Sequence, residues 1–116
     1  MSFQKILVPT DFSQPADQAV SVAKRLARAF DSELRLIHVS PTLQAFAGAP
    51  LEFSVPVEVA ETWAGKARGL LETAVQELTA DGIHASHQLI DDGSSIAEAV
   101  CGLAETWEAD VVVMGT

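Results

Sequence analysis

The sequence predicts an α/β protein in three layers (α/β/α), with a parallel, doubly wound sheet between layers of helices. Short apolar runs alternate along the chain with longer segments in which apolar residues recur at three- and four-residue spacing, a pattern typical of strand–helix–strand units with right-handed crossovers. The two most apolar runs begin at Ile6 and Val111, so they should be neighbouring central strands. The run after Gly82 is polar and belongs at an edge, and the strand order 3-2-1-4 follows.

The first strand leads into the first helix through a short acidic turn. Residues 6–8 (Ile-Leu-Val) predict a buried strand, and residues 9–11 (Pro-Thr-Asp) come directly after it. The hydroxyl of Ser13 can accept from helical N–H groups, and the proline two residues later suits a first helical turn. Apolar positions over residues 16–30 then predict an amphipathic helix of about four turns, with Phe30 on its apolar side.

A second strand, a long loop and a second helix follow. Residues 34–39 predict a strand that stops before Pro41, because proline lacks a donor for the hydrogen-bond ladder. Residues 42–57 fit neither the strand period nor the helix period and predict a long loop. That loop either covers a pocket or a partner, or simply packs against the next helix. Residues 58–81 predict a longer helix, with Leu70 and Leu71 among the residues on its apolar side and Gly82 after its end.

The last third of the chain predicts an edge strand, a third helix and a buried strand. Residues 83–90 are polar and alternate weakly, and residues 91–93 (Asp-Asp-Gly) predict a turn. Ser95 and Glu98 have the spacing of a capping box. Residues 111–114 (Val-Val-Val-Met) predict a fully buried strand. The apolar face of the third helix would comprise Ile96, Val100, Leu103, Ala104 and Trp107, with Cys101 as a small core residue.

The predicted strand order leaves one edge of the sheet bare. The length favours a single domain over residues 1–116, yet the strand at Val111 would form an exposed hydrophobic edge, which invites aggregation. We therefore expect that the domain is truncated at its C-terminus, so that a helix and a fifth strand are missing, or that another subunit covers this edge.

The charge of the chain excludes several classes of partner. Sixteen acidic and seven basic residues give a net charge of −9, which argues against broad contact with a nucleic-acid backbone or an anionic membrane. The apolar runs are too short to span a membrane. Cys101 is the single cysteine and cannot form an internal disulfide, which fits a reducing compartment. We expect a soluble intracellular protein without nucleic-acid or membrane partners.

The candidate ligand site lies at the carboxyl ends of the strands, where open α/β sheets bind ligands at the point of strand-order reversal. Asp11 could accept hydrogen bonds from ribose hydroxyls or a base amine, or it could cap the helix behind it. Gly115 could allow close approach of a phosphate, or it could mark the end of a strand. The candidate binding residues are Pro9, Thr10, Asp11, Val39, Met114, Gly115 and Thr116.

Several other sites are excluded by missing motifs. There is no G-x-G-x-x-G, no G-x-x-x-x-G-K-[ST] and no flavodoxin-type phosphate loop, so dinucleotide and flavin sites are not predicted. A phospho-accepting receiver domain needs an acidic pair after the first strand, and Asp11 stands alone there. His38, His84 and His87 are too dispersed for a zinc site or a catalytic triad. No catalytic residue can be named, and a hydrolase is the weakest hypothesis.

Three segments, residues 5–13, 34–39 and 110–116, resemble the strand motifs of the universal stress protein (UspA-like) family. The resemblance covers the whole chain. It implies an adenine nucleotide alpha hydrolase-like fold with five parallel strands, in a protein that is usually dimeric, cytoplasmic and linked to stress survival. It also implies that Asp11 contacts the adenosine portion of a nucleotide and that the Val39 backbone contacts adenine.

The resemblance also implies a pocket wall of Pro9 and Thr10 and makes Gly115 the first glycine of a phosphate loop. In nucleotide-binding members that loop runs G-x2-G-x9-G-[ST], and this sequence ends one residue after its first glycine. Members without the later glycines share the fold but do not hold ATP. The leading hypothesis is a sensor or switch that binds ATP or AMP, with Mg²⁺ left open and at most slow ATP hydrolysis. The alternative is a non-nucleotide-binding dimeric interaction module that docks through the 42–57 loop.

Overall fold

The computed structural model describes residues 4–39, 57–90 and 95–115. Residues 40–56, which include all of the predicted 42–57 loop except its last residue, lie outside the described residues, as do residues 91–94 with the predicted turn and Thr116. The strands are β1 (Lys5–Pro9), β2 (Glu33–Val39), β3 (His84–Ile90) and β4 (Val111–Val112), and the helices are α1 (Gln14–Phe30), α2 (Val57–Ala80) and α3 (Ile96–Thr106).

The four strands form one parallel sheet in the order β3-β2-β1-β4. The predicted order 3-2-1-4 is therefore confirmed, with the polar β3 at one edge. In the register, Ile6 of β1 lies between Leu34 of β2 and Val111 of β4. The first and last apolar runs are thus direct neighbours.

Residues 6–8 of β1 form the centre of the core, and each is fully buried. Successive side chains of a strand point to opposite faces. Ile6 and Val8 pack with residues of α1 and α2, whereas Leu7 packs with Ala99 and Val100 of α3. Helices therefore cover both faces of the sheet, which confirms the three layers and explains the uninterrupted apolar run.

Helix α1 begins and ends where local chemistry favours it. The Ser13 hydroxyl accepts from the Ala16 N–H (3.4 Å), a proline lies in the first turn, and Asp31 closes the helix in the left-handed conformation (φ 54°). Alanines at positions 16, 19, 23 and 27 form its buried stripe, and their small size lets the helix approach the sheet closely. The prediction that Phe30 lies on the buried side is wrong, because its side chain is 42% exposed.

Ser95 and Glu98 pair at the start of helix α3 as their spacing predicts: the Glu98 N–H donates to the Ser95 hydroxyl (3.1 Å), and that hydroxyl, rather than the Ser95 N–H, donates to the Glu98 carboxylate (3.1 Å). Its buried residues are Ala99 and Val100. Cys101 is exposed rather than part of the core, because one step along a helix rotates a side chain by about 100° away from its buried neighbour. Ile96, predicted on the buried face, is 56% exposed. Ile96 instead lines a cleft at the carboxyl edge of the sheet.

Strand β4 is shorter and less buried than predicted. Only Val111 and Val112 pair with β1, and both are half-buried. The Val113 N–H still donates to the Leu7 carbonyl oxygen (3.0 Å), and the next residue, Met114, is 52% exposed. In the described part of the chain no strand pairs with the outer edge of β4, and one-sided pairing explains its short length. Its start is held by Asp110, whose carboxylate accepts from the backbone N–H of Lys5 (3.0 Å).

Among the helices of the described ranges, none is long and apolar enough to cross a lipid bilayer.

Candidate functional site

A cleft of about 280 Å³ opens at the carboxyl ends of β1, β2 and β4. Its size is close to the lower end of ordinary small-molecule sites, roughly 300–1,000 Å³. The described residues that line it are Pro9, Thr10, Asp11, Ser13, Pro15, Ala16, Ile37, His38, Val39, Ile96, Met114 and Gly115.

Six of the seven residues predicted from the sequence line this one cleft: Pro9, Thr10, Asp11, Val39, Met114 and Gly115. The seventh, Thr116, lies outside the described residues. The sheet order brings them together, because the carboxyl ends of parallel neighbours meet at one edge. Asp11 and Gly115, more than 100 positions apart in the sequence, therefore share a rim.

Sequence reasoning missed half of the lining. Ser13, Pro15 and Ala16 belong to the predicted helix start and could have been included, since a helix that follows a strand begins at the strand's carboxyl end. His38 precedes Val39 on β2 and was considered only as a metal or triad residue. Ile96 had been placed in the core of α3. The position of Ile96 directly after the N-cap Ser95 could have indicated that it borders the cleft, because the first residue of this helix lies near the carboxyl edge of the sheet.

The turn between β1 and α1 is held by side chain to backbone hydrogen bonds. The Phe12 N–H donates to the Thr10 hydroxyl (3.0 Å), and the Ser13 N–H donates to Asp11 Oδ1 (3.0 Å). Phe12 has a left-handed backbone (φ 65°), a strained conformation for a large side chain. Ser13, not Asp11, caps α1. Asp11 instead accepts a hydrogen bond within the turn that precedes the helix.

The carboxylate of Asp11 is exposed and favours its ionised form. The hydrogen bond from the Ser13 side chain, followed by that from the Ser13 backbone, holds the pKa of Asp11 below its ordinary value of 3.8, and the charge of His38 acts in the same direction. The shift therefore contributes stability that is present above the unfolded-state pKa of about 3.9. That contribution is lost as the pH falls through the lower pKa of the folded state.

His38 supports the same turn from β2. Its Nδ1 lies 2.8 Å from the Thr10 carbonyl oxygen. Because a carbonyl oxygen can only accept, Nδ1 carries the hydrogen, and in the neutral ring Nε2 is the acceptor. The ring also contacts Phe12, with 4.7 Å between ring centroids. His38 thus holds the Thr10 carbonyl before Asp11 and packs on the Phe12 ring after it.

Gly115 lies against the first turn of α1. A Cβ atom at this position would lie 2.4 Å from the Pro15 carbonyl oxygen and 2.8 Å from the Ala16 nitrogen. No side chain fits there without displacement of backbone. The glycine therefore permits the segment after β4 to pack closely on the helix start, a role that sequence reasoning did not consider.

Three chemical features meet at the cleft. The N-termini of α1 and α3 both border it, and the positive ends of the two helix dipoles favour an anion. Side chains of Val39, Ile96 and Met114 supply apolar surface. Asp11 supplies a hydrogen-bond acceptor. The combination suits a ligand with an anionic end, hydroxyl groups and a flat apolar part.

The described residues offer little to a metal ion on their own. No group of three His, Cys, Asp or Glu side chains within these ranges could hold one. Of the described residues that line the cleft, Asp11 alone carries a carboxylate. A Mg²⁺ ion fits only if ligand phosphates and water supply most of its coordination, which is how Mg²⁺ usually binds.

Several known structures share the fold of this chain. A universal stress protein family member from Burkholderia pseudomallei superimposes with a TM-score of 0.83 at 24% identity, covering 98% of this chain and 82% of that one. A universal stress protein from Archaeoglobus fulgidus in complex with dAMP gives a TM-score of 0.71 at 20% identity, covering 98% and 82%. A universal stress protein in complex with cAMP gives 0.66 at 20% identity, covering 97% and 73%.

At these identities the structural likeness shows the fold alone. No curated protein matches the sequence. The family model described as the universal stress protein family matches residues 2–116. With that match over nearly its whole length, the chain belongs to the universal stress protein family.

Proposed function

We propose that this chain binds an adenine nucleotide, ATP or AMP, in the cleft at the carboxyl edge of the sheet, and that it acts in the cytoplasm as a stress-response sensor or switch. The observation that carries the proposal is the convergence of an ionised carboxylate, apolar walls and two helix N-termini on one cleft. Two proteins of the same fold are known in complex with dAMP and cAMP, which supports a nucleotide as the ligand.

Each part of the nucleotide has a suitable partner. The Asp11 carboxylate would accept hydrogen bonds from the ribose hydroxyls, and the Val39 backbone would meet the edge of the adenine. Pro9 and Thr10 would form the wall beside the ribose. The phosphates would lie toward the helix N-termini, in the region of Gly115. Mg²⁺, when bound, would be held mainly by the phosphates and water, since Asp11 carries the one carboxylate among the described lining residues and would face the ribose.

Replacement of Asp11 by asparagine should weaken the binding of AMP and ATP about tenfold, because the asparagine oxygen still accepts but hydrogen bonds to a charged acceptor are roughly twice as strong as those to a neutral one. Isothermal titration calorimetry on the full chain measures this. The matched control is Asp31→Asn, which removes the same charge at the far end of α1, where asparagine tolerates the left-handed backbone (φ 54°) equally well. Asp31→Asn should bind as the wild type does.

The effect of Asp11→Asn should also depend on pH in a defined direction. Since the pKa of Asp11 lies below 3.8, the carboxylate is ionised throughout the range from pH 5 to 8. The ratio of the wild-type nucleotide affinity to that of Asp11→Asn should therefore stay constant over this range. This ratio should fall as the pH falls through the folded-state pKa of Asp11. If the wild type shows no binding heat with AMP, ADP or ATP, the non-nucleotide interaction module is the correct alternative.

We also infer that two copies of the chain form a homodimer. The half-buried valines of β4 lie at an edge that no described strand covers, and an apolar edge favours pairing with another chain. Sedimentation velocity should show a species of twice the 12.3 kDa mass of one chain. A single species of monomer mass at every concentration would contradict the dimer without affecting the nucleotide proposal.

A further inference from the structure

Two exposed apolar side chains line the cleft. Ile96 is 56% exposed and Met114 is 52% exposed, the highest values among the large hydrophobic residues that the structure describes. The other exposed ones, Val22, Phe30 and Leu70, lie on α1 and α2 and do not line the cleft. Single exposed apolar residues are ordinary, but two at one concave site indicate a surface that a ligand covers.

The packing of α3 does not account for the apolar character of Ile96. The helix is buried through Ala99 and Val100, which contact the sheet. Ile96 is the first residue of α3 and lines the cleft instead. At this position a helix accepts polar residues readily, so the fold alone does not require an isoleucine.

The position of Ile96 is fixed by the capping box around it. The Ser95 hydroxyl accepts from the Glu98 N–H and donates to the Glu98 carboxylate, each at 3.1 Å. The first turn of α3 is therefore held at both sides of Ile96. A β-branched side chain has few rotamers in a helix, so the isoleucine presents a preorganised apolar surface rather than a mobile one.

We propose that Ile96 is a specificity-determining residue that packs, together with Met114, on the face of the nucleobase. The inference rests on the proposed nucleotide-binding function and adds a residue to that site. A nucleobase is flat and apolar on its faces, and a thioether makes favourable contacts with aromatic rings. Ribose and phosphate have no comparable surface. Ile96 and Met114 thus select for the base, whereas Asp11 contacts the sugar.

The test compares AMP binding to the full-length wild type, Ile96→Ser, Ile96→Val and Val22→Ser by isothermal titration calorimetry at several temperatures. Ile96→Ser should weaken binding roughly tenfold, because it removes most of the apolar area that a buried isoleucine contributes. It should also make the heat-capacity change of binding less negative, the marker of lost apolar burial. Ile96→Val keeps a β-branched apolar group and should stay within about threefold of the wild type.

Val22→Ser is the matched control, since Val22 is 46% exposed on α1, outside the cleft. It should bind AMP as the wild type does. Melting temperatures of all variants should stay close to that of the wild type, because both positions are exposed. Wild-type affinity in Ile96→Ser, or weaker binding with an unchanged heat-capacity term, would overturn the role of Ile96 and leave the nucleotide proposal intact. A wild type that binds no nucleotide would end both.

Discussion

Gly115→Ala is expected to destabilise the protein by about 1–3 kcal/mol, the usual cost of forcing an extra group into a packed site, and to weaken nucleotide binding. The added Cβ would lie 2.4 Å from the Pro15 carbonyl oxygen, 2.5 Å from the Pro15 carbonyl carbon and 2.8 Å from the Ala16 nitrogen. All three are backbone atoms, which cannot rotate away as a side chain can. Either the segment after β4 or the first turn of α1 must move, and both border the cleft.

Urea denaturation and calorimetry with AMP on the same samples measure the two effects. Gly102→Ala is the matched control, because it makes the same chemical change in α3 at a site where nothing lies within 4 Å of the new Cβ. Alanine is a better helix former than glycine, so this variant should gain up to about 1 kcal/mol of stability. Equal stability changes in the two variants would show that Gly115 does not pack on α1.

Leu71→Ala should cost about 2–5 kcal/mol of unfolding free energy, as is typical for a buried leucine. Leu71 is fully buried in the core between α2 and the sheet, where the same cluster contains Ile6 and Leu34 of the two central strands. Its removal would leave a cavity next to residues that are themselves fully buried. For a protein of this size, such a loss is a large fraction of the total stability.

The adjacent residue provides the control for this variant. Leu70 precedes Leu71 on the same helix but is 43% exposed, and Leu70→Ala should change stability by less than about 1 kcal/mol. Equilibrium urea denaturation followed by circular dichroism compares both variants directly. The sequence predicted both leucines on the buried side of α2. A similar cost for the two substitutions would favour that prediction over the observed placement.

Much of the fold was predictable because it follows from local patterns. The uninterrupted apolar run at residues 6–8 predicts a strand covered on both faces, and the polar run at 83–90 predicts an edge. Together with the second apolar run at Val111, which should lie beside the first, these features lead to the observed order of the sheet. The starts of α1 and α3 were equally accessible, since Ser13 and Ser95 are caps whose hydrogen bonds span only a few residues.

The wrong predictions concern the side of an element that a residue occupies. Phe30 and Ile96 are apolar and fit the helical period, yet Phe30 is the last residue of α1 and Ile96 is the first residue of α3, and both are exposed. Cys101 was assigned to the core because it adjoins Val100, although adjacent helical residues point in different directions. Periodicity identifies the apolar side of a helix but not where along its length the packing begins and ends.

By itself the sequence determined the element order, the strand order, the helix caps and six described residues of the cleft, because each depends on contacts within a short stretch or on a rule of chain topology. Only the tertiary structure decided that Gly115 packs on α1, that His38 holds the Asp11 turn and that Ile96 belongs to the cleft. These depend on distances between residues far apart in the chain, and such distances exist only once the layers have packed.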